Sequence, residues 1–275
     1  MDFWYKNKGD IYIKTFLGCF LILSFILLSC KKREKRSEGE LKIAAASSTR
    51  FLVEDINKNL KNKTECSIEL ITTSSGKLVS QIKHGAPYDI FFSADIKYPA
   101  FLYKEGYAKT EPLIYGRTPA VLWTMNNDLD IENKGLEILL SDKVGDVVIA
   151  NPETAPFGEF AVNILKSNEL MEKINDKLLY GNNISQVDQY ILTQNADIGI
   201  TSKAIVTSPQ MKEKGTWVDI GEKVHPQAMV VIKQERNESQ NKSTDRFLRF
   251  LKSDECRKIL KKYGFRPQKT LMANE

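Results

Sequence analysis

Histidine and cysteine are scarce in this 275-residue chain. The two histidines, His84 and His225, stand far apart and form no Cys/His metal pattern. His84 falls near the end of a predicted helix, where a cation meets the negative end of the dipole. No Gly-x-Ser-x-Gly elbow and no phosphate-binding P-loop occurs. There is no internal repeat, and beyond one short charged run there is no low-complexity segment. The formal net charge is +5, but no basic face with interleaved aromatics appears, so nucleic acid is not expected as a partner. Asp89 and Asp95 flank a strand too apolar for a paired-carboxylate site, and Asp95 reads as a cap for the next helix. No acid, base or nucleophile constellation emerges, so an enzyme is not expected.

What the chain does have begins at its N-terminus. Lys6, Lys8 and Lys14 precede the apolar stretch TFLGCFLILSFILLSC. The stretch is short for a bilayer span and has the shape of a secretory h-region. It ends in Leu27-Leu28-Ser29-Cys30, which resembles a bacterial lipobox, with Cys30 as the lipid-attachment site. A plain transmembrane anchor is the alternative. Residues 1–29 are therefore read as a lipoprotein signal peptide, and 30–40 as a charged tether. The run Lys31 to Glu40 carries five basic and three acidic residues. The expected location is outside the cytoplasmic membrane, lipid-anchored, with the domain in the periplasm or beyond. Cys19 leaves with the signal. Cys66 and Cys256 remain; export permits a disulfide between them, and burial as small hydrophobes is the simpler reading.

From residue 41 onward strands alternate with helices. LKIAAASS reads as a buried strand running into two hydroxyls, and Phe51, Leu52, Ile56 and Leu60 have helical spacing. GKLVSQIKHG reads as a helix stopped at Gly85 with Pro87 beyond. LIYGRTPAVLWTM runs extended for longer than one strand and reads as a crossover. A second series of alternating elements follows, PQAMVVIK returns, and a single long helix from about Ser243 to Tyr263 closes the chain. The alternation predicts parallel sheets covered on both faces. The expected fold is α/β, with residues 41–117 opening lobe 1, 118–224 forming lobe 2, and 225–275 returning to lobe 1.

Small donors gather where helices begin. Ser47-Ser48, Ser74-Ser75-Gly76, the stretch Asn151 to Phe160, and GNNISQ each follow a strand and open a helix. In a doubly wound sheet such loops lie at the carboxyl ends of strands, where ligands bind. Helix N-termini carry partial positive charge and bind anions without a cationic side chain. One Ser-Ser pair is adequately explained as an N-cap; four clusters in two lobes point to an oxyanion.

AAASS, SSGKLVSQIKHGAPYDIFFSAD and NPETAPFGEFAVNIL together resemble the periplasmic molybdate- and tungstate-binding proteins of ABC transporters. The resemblance spans nearly the whole chain after the leader. It implies the type II periplasmic binding protein fold, two doubly wound lobes joined by a two-strand hinge, and a monomer that delivers its ligand to an ABC permease. It implies no cofactor; molybdate or tungstate is the ligand. By position Ser47 and Ser75 match the hydroxyl ligands, and Phe157 and Ile184 match residues whose backbone N–H groups contact the oxyanion. Where one branch of the family carries a tyrosine, this chain has Ser202, with Thr201 beside it. Molybdate and tungstate are fully deprotonated dianions at neutral pH and need donors only. Phosphate keeps a proton and needs an acceptor, and an unpaired acceptor costs roughly 1–3 kcal/mol. Sulfate, thiosulfate or another small anion is the alternative ligand, separated from molybdate only by cavity size.

Overall fold

The computed structural model describes residues 39–61, 66–221 and 224–266. The leader, Cys30 and most of the tether lie outside the described residues. Among the described residues ten strands occur in chain order: β1 (Leu41–Ala46), β2 (Ile68–Thr73), β3 (Ile90–Phe92), β4 (Leu113–Thr118), β5 (Ala120–Thr124), β6 (Val147–Ala150), β7 (Leu178–Gly181), β8 (Ile198–Ser202), β9 (Thr216–Asp219) and β10 (His225–Val231). They form two five-stranded sheets, in the orders β2-β1-β3-β10-β4 and β7-β6-β8-β5-β9.

The sheets are mixed, which corrects the all-parallel expectation. β1 runs parallel to β2 and β3, but β10 is antiparallel to both β3 and β4. In the second sheet β6 is parallel to β7 and β8, while β5 is antiparallel to β8 and β9. The reason is connectivity. Once the chain has passed from β4 into β5 and returned along β10, those strands enter their sheets against the direction of the helix-connected ones. Pro119 marks the first passage: without an N–H it cannot extend the β4 ladder, and the extended run divides there into strands of different sheets.

The helices follow the apolar spacing. α1 (Arg50–Lys61) buries Leu52, Val53, Ile56 and Leu60 on one face. α2 (Ser75–Lys83) buries Leu78, Val79 and Ile82, and His84 follows as its C-cap, with Nδ1 2.7 Å from the Ser80 carbonyl oxygen. α3 (Lys97–Lys104) begins where Asp95 Oδ1 accepts from the Tyr98 N–H at 3.2 Å. After the single turn α4 (Ile131–Lys134), Gly135–Leu140 is a 3₁₀ helix rather than an α-helix. LMEKINDK forms turns and a 3₁₀ segment. The second series continues with α5 (Pro156–Ser167), α6 (Ile184–Leu192) and the short α7 (Lys203–Val206). The closing helix is two helices, α8 (Glu238–Leu251) and α9 (Asp254–Lys262). The break falls at Ser253, whose hydroxyl accepts from the Cys256 N–H at 3.2 Å and starts a new helix.

Each sheet carries its own core. Ile43, Leu52, Phe92, Met229 and Phe247 belong to the first; Trp123, Val148, Leu165 and Ile200 belong to the second. Cys66 and Cys256 are buried thiols, not a disulfide. Burial, with the charge of Glu255, pushes the Cys256 thiol up to about 12, so it packs as an inert small hydrophobe.

Candidate functional site

The four donor clusters stand at the carboxyl ends of β1, β2, β6 and β7, the helix-connected strands of the two sheets. Ser47 opens a 3₁₀ turn, Ser47–Thr49, that leads into α1. Ser75 is the first residue of α2. Phe157 is the second residue of α5, after Pro156, whose missing N–H is no loss in a first turn. Ile184 is the first residue of α6, where the Asn183 side chain accepts from the Gln186 N–H at 3.2 Å. All four residues are buried.

The structure brings these starts together across the two sheets. The Ser185 N–H donates to Ser47 Oγ at 3.4 Å, joining the turn before α1 to the start of α6. The Gly76 N–H donates to the Thr154 carbonyl oxygen at 2.9 Å, joining the start of α2 to the loop before α5. A Cβ at Gly76 would lie 2.9 Å from that oxygen, so the approach requires glycine.

Three of the hydroxyls share one arrangement. Ser47 Oγ accepts from Ser185 N–H, Ser75 Oγ accepts from Ala94 N–H at 3.2 Å, and Ser202 Oγ accepts from Ala204 N–H at 3.3 Å. In each case a lone pair is used and the hydroxyl proton remains to be donated. Ser202 sits at the end of β8 as the N-cap of α7, which packs against the Ser47–Thr49 turn. Thr201 differs, because its hydroxyl donates to Asp188 Oδ1 at 2.7 Å. Next to the predicted ligands, the buried Ser48 Oγ, Ser74 Oγ and Thr154 Oγ1 have no hydrogen-bond partner among the described residues. Native proteins rarely leave such groups unsatisfied, and each one calls for a partner.

Arg50 and Lys97 are paired with carboxylates, and Lys77 is exposed and donates to Asn182 Oδ1 at 3.3 Å. Arg50 meets Asp188 at 3.0 Å, and Lys97 meets Glu159. Neutral hydroxyls and helix-terminal amides are therefore the donors that remain, an arrangement suited to an anion without a proton. No cluster of three metal-ligating side chains occurs among the described residues.

The sequence carries no sign that Arg50 pairs with Asp188 or that His225 adjoins the site. Arg50 and Asp188 lie 138 positions apart, with no local pattern linking them. His225 stacks on Phe160 with ring centroids 5.0 Å apart, and its centroid lies 5.9 Å from that of Phe157. Burial pushes its pKa down to about 4, so the ring is neutral at pH 7.

A family model described as bacterial extracellular solute-binding protein matches residues 41–266. The chain belongs to this family. Solute binding rather than catalysis is its activity, and its place is outside the cytoplasm. The chain is 29% identical over 231 residues to the molybdate-binding protein ModA of Rhodobacter capsulatus, covering 82% of this chain and 88% of the relative. It is also 29% identical over 272 residues to the putative ABC transporter substrate-binding lipoprotein YvgL of Bacillus subtilis, covering 94% and 98%. The solved periplasmic molybdate-binding protein of Azotobacter vinelandii superposes with a TM-score of 0.76 at 25% identity, covering 83% of this chain and all of that one. The two-lobed α/β fold of the periplasmic binding proteins is thus the fold of this solute-binding protein.

Proposed function

We propose that this solute-binding protein captures molybdate or tungstate between its two lobes and delivers it to an ABC permease. The observation that carries the reading is the set of buried neutral donors at four facing helix starts. Ser47 and Ser75 give hydroxyl protons, and Phe157 and Ile184 give backbone N–H groups. Ser202 is the fifth donor, since the Thr201 proton is engaged by Asp188. The molybdate-binding relatives support the same ligand. One lobe holds β1 to β4, β10 and the two closing helices, and the other holds β5 to β9. They are joined at Thr118–Ala120 and ahead of β10.

A dianion enclosed by the lobes loses its hydration, so each donor must replace a water contact. Hydrogen bonds to a charged group contribute roughly 1.5–3 kcal/mol each. Ser47→Ala and Ser75→Ala are each expected to weaken molybdate binding about tenfold to a hundredfold. Ser202→Ala should cost about as much. Calorimetric titration of the three variants with molybdate, tungstate and sulfate tests the site. Unchanged affinity in both Ser47→Ala and Ser75→Ala would remove it, and equal wild-type affinity for sulfate and molybdate would remove the substrate.

The lipobox-like sequence before Cys30 and the lipoprotein relative support lipid anchoring at Cys30. Cys30→Ser should release the processed protein from membranes. Retention of that variant after a carbonate wash would identify a transmembrane anchor instead.

A further inference from the structure

We propose that Arg50 is a positioning residue: with Asp188 and Ser185 it forms a latch that holds the cleft closed. Arg50 begins α1, three residues after Ser47, and Phe51 holds its guanidinium from below, with Cζ 4.2 Å from the ring centroid. Its Nη1 donates to Ser185 Oγ at 2.6 Å and to Asp188 Oδ2 at 3.0 Å. Both acceptors lie on α6, which connects β7 to β8 of the second sheet. Thr201 on β8 donates to the other carboxylate oxygen at 2.7 Å. The same Ser185 turns its N–H to Ser47 Oγ. One network thus ties the start of α1 to the start of α6, at two of the positions proposed to hold the oxyanion. Separating the lobes there must break it.

Magnitudes single out this contact among the polar links between the lobes. Lys97–Glu159 and Lys77–Asn182 are exposed at the rim, where solvent and salt reduce such pairs to small contributions. Asp188 is buried and Arg50 largely so. Burial raises the Asp188 carboxyl to about 6, and the nearby Arg50 charge is the main influence pulling it back down. Taking Arg50 away from the closed form leaves that carboxylate without its counter-charge, whereas in an open form water replaces the guanidinium. The pair therefore favours closure selectively, while its own desolvation keeps the net gain modest and the closure reversible.

The latch acts on the capture proposed above, but its test needs no ligand. The Gly76 and Ser185 N–H groups are both hydrogen-bonded across the cleft, so their exchange with deuterium reports opening. Exchange is measured on the full chain by mass spectrometry of peptides covering residues 74–78 and 183–187. Arg50→Gln and Asp188→Asn should each speed exchange there about tenfold, with β1 and β6 unchanged. Arg50→Lys should restore much of the protection, because a single nitrogen makes both contacts in the native side chain. Wild-type exchange in Arg50→Gln overturns the latch, and so does acceleration spread equally into β1 and β6, which marks a general structural brace. Molybdate is then added to the wild-type protein as a separate arm. Failure of molybdate to protect the two peptides would count against the molybdate reading and not against the latch.

Discussion

Gly158→Ala should abolish tight oxyanion capture and lower stability by about 3 kcal/mol, at the upper end of the overpacking range. Gly158 lies in the first turn of α5, beside Phe157. A Cβ built there falls 2.2 Å from the Ala150 carbonyl oxygen and 2.8 Å from the carbonyl carbons of Ala150 and Asn151. All three atoms are backbone, so no side chain can rotate away. The helix start must instead back off from the end of β6. That movement carries the Phe157 N–H with it, and an N–H···O contact lengthened to about 3.6 Å is no longer a hydrogen bond. Denaturant unfolding and molybdate titration of the same variant read both effects. Wild-type stability together with wild-type affinity would refute the close packing of α5 on β6.

Acid should weaken the fold through His225. Its half-buried ring packs against Phe160 and Phe157, and burial pushes its pKa from the ordinary 6.5 to about 4. Between those two pH values the unfolded chain binds a proton at this residue that the folded chain does not, so stability falls as pH falls. The full loss over that window is on the order of 3 kcal/mol. Asp188 works in the opposite direction. Its carboxyl is raised to about 6 in the fold, so between roughly pH 4 and pH 6 the folded chain binds the extra proton and acid favours folding there. The comparison that isolates the histidine is wild type against His225→Phe, unfolded with denaturant at pH 7, 5.5 and 4.5. The wild-type curve should drop more steeply than the variant curve; parallel curves would show that His225 does not carry the acid loss.

Much of this architecture was legible because it is written in local periodicity. The 3.6-residue spacing in α1 and α2, the buried run of β3, and the hydroxyls at strand ends are all properties of short windows. Helix termination ahead of Gly85 and the cap provided by Asp95 were equally local. Strand direction was not. Phe92 pairs with Met229, across 137 positions of chain, and nothing within PQAMVVIK says which way it runs. The division of the closing helix depended on Ser253 outcompeting a continuous apolar face, a contest between a cap and packing that spacing alone does not decide. Among the site features, the clusters around Ser47 and Ser75 had a sequence signal. The Arg50–Asp188 network and the stacking of His225 had none, because each exists only after the two sheets have come together.

The placement of β10 in the middle of the first sheet has a consequence for the order in which the molecule can be made. β3 and β4 flank a gap until residues 225–231 have emerged. The second sheet needs nothing beyond Asp219. A chain delivered from its N-terminus therefore finishes its second half first, while the earliest residues to appear wait for nearly the last. Through that interval β3 and β4 offer unpaired edges to any neighbouring strand. The hazard ends when β10 slots in and Arg266 pairs with Arg117 alongside β4.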